Sequence, residues 1–281
     1  MASIKDKLLA IGAALAYPQV RLKPAITKEH FSGKWVLVTG ASHGIGRALT
    51  EKLIEADANV FLIARSEAEL QCLCDRAKQR GNRADYCAID LRDRESLELL
   101  CQKLKETLPQ LDYFFCNAGK SIHRKITDAL DRLHDYDRTI DLNYRALVAL
   151  SLALLPALKA SKGSIIYSSS VSTRYPMAPG WSAYHASKSA ANTWCETANS
   201  EFAPLGIRVQ IAYLPLVHTA MSDVNERYRQ LPAYYPADAA NILLRLAIRK
   251  GERYQPWWAK LSAPIAYLFA PIVHLFYKRM V

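Results

Sequence analysis

The stretch Thr39-Gly40-Ala41-Ser42-His43-Gly44-Ile45-Gly46 joins an apolar run typical of a β-strand to a pattern typical of a helix. Glycines let a backbone turn tightly and approach a pyrophosphate, and a helix N-terminus offers unpaired N–H groups to an anion. The spacing differs from the standard dinucleotide fingerprint, but the position between the first strand and the first helix is the one that such binding requires. The stretch therefore predicts a dinucleotide site formed by Gly40, Ser42, His43, Gly44, Ile45 and Gly46.

Strand-like and helical patterns alternate along the rest of the chain. The apolar runs are KWVLVTG at 34–40, NVFLIAR at 59–65, DYCAID at 85–90, LDYFFCNAG at 111–119, GSIIYSSS at 163–170 and IRVQIAYLP at 207–215. Short continuous apolar runs separated by helices are typical of a parallel sheet with helices on both faces. We therefore expect an α/β fold, a doubly wound Rossmann-like sheet that binds ligands beyond the carboxyl ends of its strands. The length of 281 residues suits one such domain, which we place at residues 33–250.

The formal net charge of +11 is concentrated in the terminal segments, residues 1–34 and 245–281, and the middle of the chain is nearly neutral. A nucleic-acid-binding protein carries its basic residues as a patch on the folded domain, so we expect no nucleic-acid partner. Basic termini beside apolar segments fit an anionic membrane surface better, although solvated helix faces would give the same pattern. The six cysteines show no disulfide or metal-ligand spacing, which indicates reduced thiols in a cytoplasmic protein without a metal site.

Residues 1–32 carry an amphipathic pattern. Ser3 with Asp6 is a helix-capping pair, and one face of the helix that follows collects Ile4, Leu8, Ile11 and Leu15. Lysines, an apolar run and then Ala14-Leu15-Ala16 also resemble a signal peptide with its cleavage site, so a cleaved leader is the alternative. We prefer an amphipathic surface helix.

Residues 251–281 form an apolar segment, with no formally charged side chain from Leu261 to Tyr277. A helix over those residues would be about 25 Å long, near the lower limit for crossing a hydrocarbon core of about 30 Å, and Pro264 and Pro271 would interrupt it. Residues typical of membrane interfaces flank it, namely Trp257, Trp258, Lys260, Tyr277, Lys278 and Arg279. We expect a monotopic segment in the cytoplasmic leaflet first, packing over a substrate pocket or a neighbouring subunit second, and a membrane span third.

Arg65 ends the second strand-like run and indicates which dinucleotide is bound. An NAD-binding sheet normally offers an acidic residue to the ribose hydroxyls near this point, but Ala64 precedes the arginine and no acid stands there. A guanidinium pairs well with a 2′-phosphate, so Arg65 predicts NADP(H). The alternative is a solvated arginine at a strand end.

Tyr184 and Lys188 stand four residues apart in Tyr184-His185-Ala186-Ser187-Lys188, on one face of a predicted helix. An ammonium beside a phenol favours the phenolate, so the spacing predicts that the pKa of Tyr184 falls from about 10 toward working pH. Tyr184 would then be a general acid for a carbonyl oxygen that receives hydride. By itself this spacing is also common in exposed helical pairs.

Ser168-Ser169-Ser170 ends a predicted strand a short distance before Tyr184. A serine hydroxyl there can donate to the same carbonyl oxygen, and we choose Ser170, with Ser169 as the alternative. Asn143 is a candidate to hold a water that links Lys188 to solvent, although a lone asparagine is more often a cap or turn residue.

These motifs together resemble the short-chain dehydrogenase/reductase family. They occur in the family's order over residues 33–250, as TGASHGIG at 39–46, DL at 90–91, NAG at 117–119, Asn143, Ser170 and YHASK at 184–188. The resemblance implies an NADP-dependent enzyme whose catalytic tetrad is Asn143, Ser170, Tyr184 and Lys188. It also implies cofactor contacts from Asp90 and Leu91 near the adenine, Asn117, Ala118 and Gly119 in the floor, Tyr184 and Lys188 at the nicotinamide ribose, and Thr219 at the nicotinamide amide. Members of the family often form homo-oligomers.

Two positions depart from the family pattern. Cys116 replaces an asparagine found in many members, and Pro215-Leu216 replaces Pro-Gly after the sixth strand. A leucine does not adopt left-handed backbone angles cheaply, so we expect the loop after Pro215 to follow a different path.

A closer resemblance is to the branch that contains bacterial fatty acyl-CoA reductases, which form long-chain aldehydes. It lies in residues 117–144, 213–222 and 236–254 and implies a lipophilic carbonyl substrate. Residues 221–235 lie where the fold carries its substrate loop, with Tyr228, Leu231, Tyr234 and Tyr235 as candidate wall residues. An ordinary half-buried helix would give the same pattern. We therefore predict an NADPH-dependent reductase of a long-chain lipid carbonyl, with a reductase of small ketones or steroids, and a non-catalytic NADP-binding sensor or scaffold, as alternatives.

Overall fold

A parallel sheet of seven strands forms the centre of the protein. The computed structural model describes residues 12–223 and 226–280, and the strand order in its sheet is β3-β2-β1-β4-β5-β6-β7. The strands are β1 Trp35–Thr39, β2 Asn59–Ala64, β3 Ala84–Ala88, β4 Tyr113–Cys116, β5 Ser164–Ser170, β6 Arg208–Leu214 and β7 Arg253–Tyr254. The doubly wound α/β fold is confirmed, and β7 is the one strand of the sheet that the apolar runs did not predict.

Helices cover both faces of the sheet. They are α1 Pro24–Phe31, α2 Gly44–Glu55, α3 Glu67–Gln79, α4 Arg94–Thr107, α5 Leu133–Ile140, α6 Ala146–Ser161, α7 Ser182–Phe202, α8 Glu226–Arg229, α9 Pro236–Arg249, α10 Trp257–Leu268 and α11 Ala270–Met280. A π-helical turn, Asp141–Arg145, joins α5 to α6.

Two hydrophobic cores lie on opposite faces of the sheet, because neighbouring strand residues point in opposite directions. Val36 and Val38 of β1 pack with α2, α3 and α9, whereas Leu37 packs with α4, α6 and α7. The central strands are buried on both faces, which explains why they read as continuous apolar runs. Because these strands are parallel, the carboxyl ends of β1, β4 and β5 lie at the same edge of the sheet.

The two terminal segments contact one another outside this sheet. The indole nitrogens of Trp257 and Trp258 donate to the carbonyl oxygens of Leu15 and Ala16, at 2.9 and 3.0 Å. Residues 12–16 are helical, but most of the amphipathic N-terminal helix expected around Ile4 to Leu15, with its cap at Ser3, lies outside the described residues.

The apolar C-terminal segment is a bent pair of helices. α10 and α11 meet at an angle of 84°, and by length and composition the pair could form a broken membrane span or a re-entrant loop. The break falls at Phe269, just before Pro271, which lies in the first turn of α11. The expected interruption at Pro264 is wrong, since Pro264 lies inside α10. A second apolar stretch of sufficient length, Leu133–Ser161, includes the core helix α6.

Candidate active site

The loop between β1 and α2 has the backbone of a phosphate-binding turn. Gly40 and Gly44 have φ values of 68° and 54°, in the left-handed region that favours glycine. A Cβ at Gly46 would lie 2.0 Å from the carbonyl oxygen of Gly40, so a side chain there would push the turn apart. The tight turn leaves the N-terminus of α2 open at the carboxyl end of β1, where a pyrophosphate fits the unpaired N–H groups.

Side chains of this loop and of Thr219 lie around that helix N-terminus. His43 Nδ1 and Ser42 Oγ are 2.9 Å apart, and a Cβ at Gly44 would lie 3.2 Å from the Thr219 methyl carbon. Thr219 therefore lies beside the phosphate loop. In the loop after Pro215, Tyr234 N donates to Leu216 O at 3.0 Å. Leu216 is not among the non-glycine residues of the described ranges that have a positive φ.

The segment after β4 forms the floor next to this loop. Thr39 Oγ1 accepts hydrogen bonds from the backbone N–H groups of Asn117 and Ala118, at 3.1 and 3.0 Å. A Cβ at Gly119 would lie 3.2 Å from Asn143 Oδ1 and 3.4 Å from Lys188 Nζ. Gly119 is thus the point where the floor meets the residues expected to be catalytic.

Three charged side chains gather beyond the carboxyl ends of β2 and β3. The Arg92 guanidinium hydrogen-bonds to Asp90, and this contact, assisted by the nearby charge of Arg65, lowers the pKa of the Asp90 carboxyl. Arg65 itself is exposed, and Leu91 is buried beneath the group. Arg92 was missed at the sequence level, where its position two residues after Asp90 was the available signal. The cluster offers positive charge to a phosphorylated ribose.

Ser170 and Tyr184 meet at the carboxyl end of β5. Ser170 is the last residue of β5, Tyr184 lies in the first turn of α7, and the Ser170 hydroxyl lies close enough to the phenol to affect its pKa. Ser169 Oγ donates instead to Asn192 Oδ1 at 2.6 Å. Of the two candidate serines, the structure places Ser170 beside the phenol.

The pKa of Tyr184 moves in the direction opposite to the one that the Tyr-Lys spacing predicts. Burial raises the pKa of the Tyr184 phenol, the Ser170 hydroxyl lowers it, and Tyr228 raises it further. The expected lowering by the ammonium is not found, because Lys188 Nζ donates to Ser168 O at 2.8 Å and is itself desolvated. The phenol therefore stays protonated at neutral pH, as an acid must before it gives up its proton.

Lys188 lies in an apolar pocket. Its Nζ is 4.7 Å from the centroid of the Tyr167 ring, and burial lowers its pKa to about 8. Desolvation disfavours the charged form of an amine, so the ammonium is lost as the pH rises through about 8. A group that titrates so close to neutrality is suited to moving a proton.

Asn143 lies in the π-helical turn, a geometry that is frequent at functional sites. Its Nδ2 donates to Lys120 O and to Ser187 Oγ, both at 2.9 Å, and its Oδ1 accepts from Lys120 N at 2.8 Å. The side chain thus ties the floor segment to α7. The Oδ1 atom keeps one lone pair free for the water that the sequence suggested, which stays a prediction.

Aromatic side chains form a wall beside Tyr184. The rings of Trp181 and Tyr228 are stacked at 6.2 Å between centroids and 12° between planes, and Trp181 also contacts Tyr184 and His123. Of the expected wall residues, Tyr228 lies at the site, but Tyr234 is only 3% exposed and packs against Tyr17. Trp181 was missed, although its spacing of three residues from Tyr184 places both on one side of the helix start.

The C-terminal helices pack on the loop that follows Ser170. Tyr175 OH and Ser262 Oγ are 2.6 Å apart, Tyr267 OH donates to Tyr175 O at 3.2 Å, and Tyr277 OH donates to Pro176 O at 3.5 Å. The apolar tail is therefore next to the site on one side.

Comparisons with known proteins agree with this geometry. The family model of the short chain dehydrogenases matches residues 34–229. A fatty acyl-CoA reductase of Acinetobacter baylyi is 33% identical over 251 residues, covering 89% of this chain and 84% of the relative. A fatty acyl-CoA reductase of Mycobacterium tuberculosis is 33% identical over 241 residues, covering 85% and 82%.

A solved structure also matches. A metagenomic short-chain oxidoreductase in complex with NADP has a TM-score of 0.65 at 27% identity, and the match covers 78% of this chain and 91% of that one. The sheet order, the phosphate loop and the family match over residues 34–229 all lead to one conclusion. The chain belongs to the short-chain dehydrogenase family and is an oxidoreductase of that family.

Proposed function

We propose that this protein is an NADPH-dependent reductase of a long-chain lipid carbonyl, with Tyr184 as the general acid. The substrate class covers fatty acyl-CoA, long aldehydes and β-keto lipids. The observation that carries the proposal is the placement of Ser170 beside Tyr184 under an aromatic wall, with the buried Lys188 one turn further along the same helix. A non-catalytic sensor or scaffold would need the dinucleotide loop but no such acid.

In this mechanism Ser170 and Tyr184 act on the carbonyl oxygen. A bound NADPH supplies hydride to the carbonyl carbon, and negative charge develops on the oxygen. The two hydroxyl groups stabilise that charge, and Tyr184 transfers its proton to the oxygen. Because burial raises the pKa of Tyr184, the phenol is protonated when the substrate arrives.

Lys188 then supports return of a proton to the Tyr184 phenolate. Its pKa of about 8 lets it hold a proton near neutrality and give it up without a large cost. With an acyl-CoA, the tetrahedral hemithioacetal collapses to an aldehyde and releases the thiol. With a β-keto lipid, the same proton and hydride give the alcohol.

NADP(H) is the proposed cofactor, bound by the phosphate loop, by residues 117–119 and by Arg65 near Asp90 and Leu91. The turn geometry fits a pyrophosphate, and the positive charge beyond β2 fits a 2′-phosphate. The oxidoreductase structure in complex with NADP supports this choice.

Changing Arg65 to Asp is expected to lower the ratio of kcat/KM for NADPH to kcat/KM for NADH about 100-fold. The variant removes a charge-assisted contact to the 2′-phosphate, worth about 1.5–3 kcal/mol, and adds repulsion. Steady-state kinetics with each cofactor measure the ratio. Arg83→Asp makes the same charge change at another exposed arginine and should leave the ratio unaltered. An unaltered ratio in Arg65→Asp as well would refute the role of Arg65.

The lipid substrate is supported by the relatives and by the wall. Both curated relatives described above are fatty acyl-CoA reductases. The Trp181 and Tyr228 rings offer an apolar surface beside Tyr184 that suits an aliphatic chain.

A chain-length panel tests this proposal. We expect kcat/KM with NADPH to be at least about 100-fold higher for C16 acyl-CoA, aldehyde or β-keto lipid than for short ketones. Burial contributes about 0.8 kcal/mol per methylene, so four buried methylenes contribute about 3 kcal/mol. Equal rates on long and short substrates would favour the reductase of small ketones or steroids. Binding of NADPH without turnover of any substrate would favour the sensor.

We also propose that the protein binds the cytoplasmic face of a membrane through residues 251–281, beside the N-terminal segment of residues 1–32. The tail exposes a set of large apolar side chains, namely Trp257, Leu261, Ile265, Leu268, Phe269, Ile272, Leu275 and Phe276. Lys260, Lys278 and Arg279 flank them and suit anionic lipid. The homo-oligomer expected from the family stays a proposal.

A further inference from the structure

Ser170 is linked to a buried histidine by a chain of hydrogen bonds. Ser170 Oγ is 2.8 Å from Ser172 Oγ, and Ser172 Oγ is 3.1 Å from His185 Nε2. His185 is the residue after Tyr184 and is only 5% exposed. The family motif read in the sequence gave this position no role.

We propose that His185, acting through Ser172, is a positioning residue that fixes the direction in which the Ser170 hydroxyl donates its proton. The proposal rests on the proposed role of Ser170 as a donor to the carbonyl oxygen.

The hydrogen-bonding capacity of Ser170 gives the reason. A serine hydroxyl has one proton to donate and two lone pairs that accept. The backbone N–H of Ser172 donates to Ser170 Oγ at 3.3 Å, and the Ser172 hydroxyl can fill the second lone pair. When both lone pairs are filled by Ser172, the remaining proton of Ser170 points to the Tyr184 side, where the carbonyl oxygen binds.

His185 decides whether the Ser172 hydroxyl acts as that donor. A neutral imidazole carries a proton on one nitrogen only. The Nδ1 of His185 is buried without a hydrogen-bond partner, and buried N–H groups are left unpaired more rarely in proteins than buried acceptors are. The proton therefore belongs on Nε2, which donates to Ser172 Oγ and leaves the Ser172 proton for Ser170.

Burial supports the neutral form of the ring. Desolvation lowers the pKa of His185, and the rings of Trp181 and Tyr184 lie against it. The direction of the chain, from His185 to Ser172 to Ser170, is thereby kept at neutral pH.

Single and double substitutions test this chain. His185→Leu and Ser172→Ala are each expected to lower kcat about tenfold, less than the loss on removing an oxyanion donor itself. The double variant should also lose about tenfold and not 100-fold, because both changes break one chain. His185→Gln keeps a buried N–H donor and should recover kcat to within about threefold of the unmodified protein. The Kd of NADPH, read by fluorescence, should stay within about twofold in all of them.

Controls separate this proposal from the proposed function. Thr193→Val removes an exposed hydroxyl on the same helix and should leave kcat unaltered. If Ser170→Ala is inactive while Ser172→Ala and His185→Leu keep full kcat, the positioning role is wrong and the proposed function stands. If Ser170→Ala keeps full kcat, Ser170 is not a donor to the carbonyl oxygen and the positioning role is wrong, while the reductase activity itself stands. Losses that multiply in the double variant, or a His185→Gln no better than His185→Leu, also overturn the positioning role.

Ser172→Ala decides the matter if His185→Leu does not fold, because Ser172 is only half-buried and loses a single oxygen atom. A full kcat in that variant overturns the proposal.

Discussion

Tyr184→Phe is expected to lower kcat about 1,000-fold for every substrate that the enzyme reduces. The change removes one oxygen atom, and with it the only proton that the phenol can give to the developing oxyanion. General acids of this kind typically contribute 10²- to 10⁴-fold. Steady-state reduction of a long-chain carbonyl by NADPH gives kcat, and fluorescence titration gives the Kd of NADPH, which should change little because the phosphate loop is untouched.

The matched control is Tyr86→Phe. Tyr86 carries a phenol on β3 whose OH donates to Gln71 Oε1 at 2.7 Å, far along the sheet from β5. Loss of that oxygen should leave kcat within about twofold. A Tyr184→Phe variant that keeps more than a tenth of the normal kcat would reject the general-acid assignment, and the mechanism would then need another proton donor.

The direction in which the pKa of Tyr184 shifts could not be predicted from the sequence. The spacing of Tyr184 and Lys188 predicted that the two side chains share a helix face, and both lie at the site. It did not predict their burial, which comes with contacts distant in the chain, such as that of Lys188 Nζ with the ring of Tyr167 on β5. Burial raises the pKa of the phenol and lowers that of the amine, because in each case it disfavours the charged form.

The sequence likewise predicted some strands, β1 to β6, and did not predict β7. β1, β2, β4, β5 and β6 were predicted because each is an apolar run buried on both faces, and such a run carries its signal locally. β3 was predicted from a shorter run and is only partly buried, with Asp85 exposed. β7 has two residues at the sheet edge, with Arg253 exposed, and it is a strand only through its pairing with Ile211 and Ala212 of β6. The π-helical turn at Asn143 has no pattern of its own, since the residues on either side continue as helix.

The contacts within the aromatic wall could not be predicted from the sequence either. The stacking of Trp181 on Tyr228 joins residues far apart in the chain. Composition suggested a wall of tyrosines, but Tyr234 turns to the core because its strand-like bridge to Val217 directs the ring toward Tyr17. The aromatic wall therefore does not include Tyr234, and it lies beside Tyr184.

The tail combines a local signal with a long-range one. Its apolar composition and its interfacial tryptophans can be seen in the sequence. The bend between α10 and α11 and the contact with Tyr175 depend on the tertiary structure and could not be predicted. One side of the bent pair holds the loop after Ser170, and the other side exposes apolar residues. A membrane on the exposed side would therefore lie close to the site at which we propose that a lipid carbonyl is reduced.

Leu268→Glu combined with Ile272→Glu is expected to lower the partition coefficient of the protein onto anionic lipid vesicles at least about 100-fold. The two side chains are 76% and 64% exposed, so the exchange leaves the packing on Tyr175 intact. Moving two such side chains out of an apolar phase costs about 3 kcal/mol or more, and each 1.4 kcal/mol is about tenfold. Co-sedimentation with vesicles that contain phosphatidylserine measures the partition coefficient, and thermal melting checks the fold.

Gln79→Glu combined with Gln102→Glu is the matched control. It adds the same two negative charges at exposed positions of α3 and α4 and removes no apolar surface. General repulsion from an anionic surface would weaken both double variants alike, whereas insertion of the tail predicts a large loss for the tail variant alone. Activity on a short, water-soluble aldehyde should be equal in all three proteins, because Ser170, Tyr184 and Lys188 are untouched. An unaltered vesicle-bound fraction in the tail variant would exclude α10 and α11 as the membrane contact and leave the packing at Tyr175 as their role.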